Sequence, residues 1–224
     1  MRGGQFVLMM NLDLRRFAPS AARNREPILG VLQRHLPRQG LVLEIASGSG
    51  EHVVHVAQAS GAGLEFQPSD PEPAARASID AWIAALGLTN VRPALALDAT
   101  SAAWPIAHAD AVLCINMIHI APWPATIGLL QGAARTLGIG TSRPGDGEPA
   151  RDGLLYLYGP FRRDGRHMSE GNERFDRDLR QQNAAWGIRD LEAVATLAGT
   201  TGFGPPEIEH MPANNLSVIF RQRQ

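Results

Sequence analysis

The sequence predicts an α/β protein: a doubly wound, seven-stranded mixed sheet, mostly parallel, ending in an antiparallel C-terminal hairpin. Three observations predict it. Strand-like and helix-like runs alternate along most of the chain, as in a parallel sheet with helices on both faces. The most apolar short run, residues 111–116 (AVLCIN), has the composition of a central strand buried on both sides. The last two strand-like runs, 207–211 and 216–221, are joined only by Pro212, Ala213, Asn214 and Asn215, too short a link for a parallel crossover.

Each element follows from its local chemistry. Residues 20–36 contain a helix, with Ile28, Val31, Leu32 and Leu36 at helical spacing and Asn24 as its N-cap. A buried strand occupies 41–45 and a helix 51–59. A second strand, 64–67, ends at Pro68, Ser69 and Asp70. The next helix, 73–86, has a proline in its first turn and Gly87 as its stop. Residues 91–97 read as the third strand, 111–116 as the fourth, and 124–137 as a helix. The stretch 138–153 (GIGTSRPGDGEPARDG) is turn chemistry throughout and reads as an exposed loop insertion. The alternation then resumes with a fifth strand at 154–158. Residues 162–186 are polar and partly helical, without a clean apolar stripe, and 188–198 form the last helix. Residues 20–224 are expected to be one domain, and 1–19 an N-terminal extension expected to be disordered.

Composition bounds the function. Among 224 residues, 44% are hydrophobic and 19% charged, ordinary for a globular chain. The formal net charge is -1, so nothing global favours nucleic acid or an anionic membrane as partner. All 21 basic residues are Arg, which excludes a Schiff-base or P-loop lysine. Cys114 is the single cysteine; no intrachain disulfide can form, and a cytoplasmic location is expected. No apolar run reaches membrane-span length, and the apolar part of the N-terminus, residues 6–10, is too short for a signal peptide.

The stretch 41–52 (LVLEIASGSGEH) carries the strongest signal. A buried strand stops on Glu44, and Ala46, Ser47, Gly48, Ser49 and Gly50 follow at once. Small residues there let a ligand approach bare backbone, and the next helix directs its N-terminus at the same place. A dinucleotide fingerprint G-x-G-x-x-G fails, because its third glycine would fall on Glu51 or Val53. The pattern E-x-A-x-G-x-G instead resembles motif I of class I S-adenosylmethionine-dependent methyltransferases, with Ala46 in place of the common first glycine. In that group Glu44 would help hold the methionine end of the cofactor. Asp70 at the second strand end can accept both ribose hydroxyls. Asp98 at the third can accept from the adenine amino group while the Ala99 N–H meets a ring nitrogen.

Beyond the fourth strand come Asn116, Met117 and His119. Methyl transfer is an in-line displacement that needs alignment, and a base only when the acceptor must lose a proton. His119 is the first base candidate; the competing reading is a buried ring that fixes the loop. His52 and His55 sit at i and i+3 after the glycine turn without further ligand spacing, so no metal is expected and His52 is placed beside the cofactor.

Several phrases together resemble one family: SAARNREPIL, LEIASGSGEHVVH, FQPSD, LCINMIHIAPW, YGPF, WGIRDLE and MPANNLSVIFR. They are similar to the methyltransferase-like twenty-six family, over roughly residues 20–221. The resemblance implies a Rossmann-like class I fold and binding of S-adenosylmethionine, with S-adenosylhomocysteine as product. It adds Arg23 and Asn24 to the cofactor set. It also points to Tyr158 as a second catalytic candidate, and to Trp123, Phe161, Asn172, Phe175 and Asp176 around a small acceptor. The expected activity is methyl transfer to an O, N or S atom of a small molecule. The alternative is a non-catalytic protein that binds the cofactor or a partner.

Overall fold

The computed structural model describes residues 13–139 and 153–223. Residues 1–12 of the expected N-terminal extension and 140–152 of the expected loop insertion lie outside the described residues. The elements in order are α1 (Pro19–His35), β1 (Gly40–Ile45), α2 (Glu51–Ala59), β2 (Leu64–Pro68), α3 (Pro73–Leu86), β3 (Ala111–Ile115) and a 3-10 turn (Met117–His119). There follow α4 (Trp123–Leu137), β4 (Leu154–Arg163), β5 (Arg166–His167), α5 (Glu170–Gln182), β6 (Arg189–Asp190), α6 (Leu191–Thr200), β7 (Glu207–Met211) and β8 (Asn215–Phe220).

The sheet order is β2-β1-β3-β4-β8-β7, with β5 and β6 paired to the far end of β4. The pairs β1–β2, β1–β3 and β3–β4 are parallel; β8 runs antiparallel to both β4 and β7. This is the mixed α/β sheet that the alternation and the C-terminal hairpin predict. Alternating side chains divide the core in two. Val42, Leu113, Tyr156 and Ile219 face α1, α2 and α3, where Ile28, Leu32, Val53 and Ile79 meet them. Leu43, Val112, Leu157 and Val218 face α4 and α6, against Leu129, Ala133 and Val194.

Three elements differ from the sequence expectation. Residues 91–97 are not a regular strand. They lie along β2 and touch it through two single bridges, Phe66 with Val91 and Ser69 with Leu95. Pro93 lies between those bridges and has no N–H to continue a ladder. Counting this segment, the long sheet positions number the expected seven. Asn24 is not a helix cap: Ala18 occupies that position, and Asn24 lies inside α1. The buried residues of α5 are Asn172, Asp176 and Leu179, so its inward stripe is mostly polar and left no apolar period in the sequence.

Residues 13–18, counted with the extension in the sequence, run along α3. The Arg16 N–H donates to Ser78 Oγ at 2.8 Å, and Trp82 Nε1 donates to the Arg16 carbonyl at 3.1 Å. Phe17 stands edge-on to Trp82 with ring centroids 5.0 Å apart. Glu51 Oε2 accepts from the Ala18 N–H at 2.6 Å, tying the start of α1 to the start of α2.

Candidate cofactor and acceptor site

In this sheet β2 and β3 lie on opposite sides of β1. The chain therefore reverses its direction of winding at β1, and the carboxyl ends of β1 and β3 flank the crevice where open α/β sheets bind ligands. Glu44 stands at that end, opposite Pro68 of β2 and Leu113 of β3. Its side chain is buried and Oε2 has no hydrogen-bond partner among the described residues. Burial pushes its carboxyl up to about 7; Ser47 opposes that shift by hydrogen bonding and the nearby Asp70 adds to it.

The turn after Glu44 divides its labour residue by residue. Ala46 has a left-handed backbone, φ 55°, at the position where the motif usually has glycine. Ser47 stitches two strand ends: its N–H donates to the Ser69 carbonyl at 2.9 Å, and its Oγ accepts from the Ser69 N–H at 3.2 Å. A Cβ on Gly48 would meet nothing within 4 Å, so this glycine faces open space. Gly50 differs: a Cβ there would lie 2.9 Å from the Ile79 Cα. The absent side chain at Gly50 thus serves the packing of α2 on α3, a reason unrelated to any ligand.

Asp70 is buried and bridges the turn to the next helix. Its Oδ2 accepts from the Gly48 N–H at 3.0 Å and its Oδ1 from the Glu72 N–H at 2.9 Å. Each oxygen retains a second lone pair for a further donor. Asp98 is exposed and closed on its own turn, with Oδ1 accepting from the Thr100 N–H and Oγ1, both at 2.8 Å. Ala99 is buried beside it, its carbonyl pressed where a Cβ on Gly128 would fall. From α1, Asn24 Oδ1 accepts from His52 Nε2 at 2.8 Å. Burial, then His55 and Arg25, push the His52 pKa down to about 4. Arg23 is exposed on α1.

Asn116 ends β3 with a left-handed backbone, φ 63°, and its N–H donates to the Tyr158 carbonyl at 2.8 Å. Met117 and His119 are buried in the 3-10 turn that follows. The His119 ring is 1% exposed, stands edge-on to Phe161 at 5.1 Å, and fills the place a side chain on Gly159 would take. Neither ring nitrogen has a partner among the described residues. Burial, then the Arg189 guanidinium, push its pKa down to about 3, against a smaller opposing effect of Asp176. The ring is therefore neutral at physiological pH and a weak proton acceptor. Tyr158 is buried, and its hydroxyl accepts from Asn215 Nδ2 at 3.0 Å, with the Asn24 side chain facing it as well. Burial raises the phenol pKa.

The expected acceptor residues divide into two groups. Phe161 is fully buried in the α4/α6-side core and cannot line an open pocket. Trp123 is half-buried beneath the Arg189 guanidinium, 5.7 Å from the ring centroid. On α5, Asn172 donates from Nδ2 to the Asn214 carbonyl at 3.1 Å, and Phe175 is exposed. Asp176 accepts from the Ile188 N–H at 2.6 Å and from Arg180 Nε at 3.0 Å. Sequence reasoning missed Arg189, which donates to the Ile118 carbonyl at 2.9 Å and the Ala121 carbonyl at 2.5 Å and so fixes the 3-10 turn from outside. It also missed Asn215. Both lie in quoted words, WGIRDLE and PANN, whose odd composition was the available signal.

Two features lie near the C-terminal end of α1. A pocket of about 280 Å³ lies between the ends of α1 and α2, lined by Leu29, Leu36, Val56 and Leu64. His35, Glu207 and Glu209 converge near it at the end of α1, but Glu209 is already paired with Arg34 and His35.

The family described as a protein of unknown function (DUF938) matches residues 15–222. The chain belongs to that family. Solved structures share its fold at low identity. An O-methyltransferase family protein from Burkholderia thailandensis aligns with TM-score 0.72 and 17% identity over 92% of this chain and 57% of its own. TnmH gives 0.72 and 18% over 91% and 55%. Human N-acetylserotonin methyltransferase, solved with S-adenosylmethionine, gives 0.67 and 14% over 92% and 53%. This DUF938 member thus spans little more than half the length of the solved chains it matches. Among the described residues no helix is long and apolar enough to cross a membrane.

Proposed function

We propose that this chain is an S-adenosylmethionine-dependent methyltransferase whose acceptor is an O, N or S atom of a small molecule. One observation carries the reading: a buried Glu44 carboxylate with an unpartnered oxygen stands beside Gly48, whose missing side chain opens onto space, at the switch point of the sheet. A buried orphan acceptor is costly unless a donor meets it. An ammonium group is such a donor, and the methionine end of the cofactor carries one. The resemblance to the methyltransferase-like twenty-six family and the methyltransferase names of the solved neighbours support the same choice.

The residues fit the cofactor as follows. Glu44 accepts from the ammonium, and Gly48 leaves room for close approach. The remaining lone pairs of Asp70 accept the ribose hydroxyls. Ala99 and Asp98 border the adenine, with Arg23, Asn24, His52, Asn116 and Met117 around the rim. When bound, S-adenosylmethionine supplies an electrophilic methyl group. The chain's own task is to align an acceptor and exclude water. We assign His119 to positioning the Asn116–His119 turn, because a ring buried against Phe161 with a pKa near 3 takes a proton poorly. Tyr158 is similarly held, by Asn215. Neither is poised as a base, which favours an acceptor that needs no deprotonation in the transfer step.

Calorimetry tests the cofactor: S-adenosylmethionine or S-adenosylhomocysteine binds, and NAD and FAD do not. Tight NAD binding without a response to S-adenosylhomocysteine would overturn the assignment. Labelled methyl transfer into a metabolite extract separates an enzyme from a non-catalytic binder. His119→Asn then distinguishes the two roles. A base would cost roughly 10²–10⁴-fold in turnover. Positioning predicts a lower melting temperature, with turnover per folded molecule and its pH profile nearly unchanged.

A further inference from the structure

At the far end of β4 the side chains gather positive charge that the described residues do not neutralise. Strand alternation puts Arg162 on the same face as Tyr158 and opposite Phe161. It pairs in register with His167 of β5. The Arg162 Nε is buried without a hydrogen-bond partner, and so is His167 Nδ1. The nearby carboxylates do not meet the Arg162 Nε. Asp176 holds Arg180 and the Ile188 N–H, with His167 Nε2 3.5 Å away. Asp190, opposite Arg162 on β6, accepts from the Gly165 N–H at 2.9 Å. Arg180 and Arg162 both lower the pKa of Arg189, after burial itself, so three guanidinium groups crowd this edge against Asp176.

We propose that Arg162, with His167 beside it, is the anion-recognising end of the acceptor pocket, so that the methyl acceptor carries a carboxylate or phosphate group. This rests on the methyltransferase reading for the word acceptor, but the anion site stands on its own geometry. A guanidinium presents a planar fork of donors matched to two oxygens of a carboxylate or phosphate. Arg162 lies four residues beyond Tyr158 on the same face of β4, and Asn24 and Asn215 meet the Tyr158 hydroxyl. That is roughly 13 Å of extended strand, a span that an extended small molecule can bridge with its anionic group at one end and its accepting atom at the other. Asp176 of α5 reaches the same pair, 3.5 Å from His167 Nε2, and would help shield it from solvent.

The test is thermal shift of the full chain with a panel of small carboxylates, each beside its own amide, and with inorganic phosphate, all with and without saturating S-adenosylhomocysteine. Carboxylates should bind about tenfold or more tightly than their amides, as expected for loss of a charge-assisted bidentate contact. If phosphate alone responds, the recognised group is phosphate. Arg162→Gln should abolish the preference and Arg162→Lys should keep part of it; the lysine variant remains informative should the glutamine variant fold poorly. Equal responses to acids and amides with no response to phosphate, or a preference that survives Arg162→Gln, would overturn the proposal. Failure of the cofactor reading shows separately: S-adenosylhomocysteine would not bind, while the Arg162-dependent acid preference persisted.

Discussion

Ala46 has a left-handed backbone, φ 55°, at a cost of roughly 1–2 kcal/mol that glycine would not bear. Glycine would return part of that gain through the greater freedom of the unfolded chain, about 0.4–1 kcal/mol. Ala46→Gly should therefore stabilise the protein by about 0.5–1 kcal/mol, read as a higher urea midpoint at unchanged slope. The sequence marked this residue as a departure from the glycine pattern but could not tell its φ. The strand-end position alone marks Asp70 as a candidate for the ribose. Its two bonds to backbone N–H groups were not legible, since they depend on how the glycine turn folds back. Asp70→Ala should then do two things. Cofactor affinity should fall by about 2–4 kcal/mol from lost charge-assisted bonds. Stability should also fall, by about 1 kcal/mol, because the partly buried Gly48 and Glu72 N–H groups lose their acceptor. Calorimetry and chemical denaturation separate the two, and an unchanged affinity would place the ribose elsewhere.

At the scale of elements, the glycine turn and α2 share one sequence pattern but two physical demands. Gly50→Ala brings a side chain against the backbone of α3 and should separate the two helices, costing about 1–3 kcal/mol as overpacking does, on top of the strain of its φ of 90°. Gly48→Ala meets no atom of the protein and costs only the strain of its φ of 58°, roughly 1–2 kcal/mol. Its larger effect should be on S-adenosylhomocysteine affinity, since the new methyl occupies the space a ligand would use. A loss of affinity greater for Gly50→Ala than for Gly48→Ala, each corrected for folded fraction, would reverse these assignments. Elements with an apolar period were readable to within a residue or two: α2 and α3 begin and end where capping and spacing placed them. Residues 91–97 were misread because the alternation of Val91, Leu95 and Leu97 hides the missing donor of Pro93. The α5 helix was hidden for a different reason, its inward face being Asn172 and Asp176, whose partners Asn214 and Ile188 only the tertiary fold supplies.

Across the whole molecule, words far apart in the chain meet at one place. RNRE, INMIH, WGIRD and PANN converge through Asn24, His119, Arg189 and Asn215 at the carboxyl edge of β3 and β4. Burying so many polar groups there makes stability depend on pH. His52, flanked by His55 and Arg25, and His119, flanked by Arg189, are pushed from 6.5 down to about 4 and about 3. Below pH 6.5 the unfolded chain protonates both rings and the native protein does not, so these two make stability rise with pH from about 4 to 6.5. Glu44 acts in the opposite direction. Its carboxyl is raised from 4.5 to about 7, so between those values the native protein retains a proton that the unfolded chain has released, and stability falls with pH. Between about pH 4.5 and 6.5 the two histidines outweigh the one carboxyl by a single proton, a net rise of about 1.4 kcal/mol per pH unit at most. From 6.5 to 7 only Glu44 remains, so stability should pass through a maximum near pH 6.5. Glu44→Gln should remove the decline above that maximum and steepen the rise below it. A ligand ammonium at Glu44 would stabilise its ionised form, so S-adenosylhomocysteine binding near pH 7 should release protons. Calorimetry in buffers of different ionisation enthalpy measures that release directly; heats independent of the buffer would mean that the ammonium does not reach Glu44.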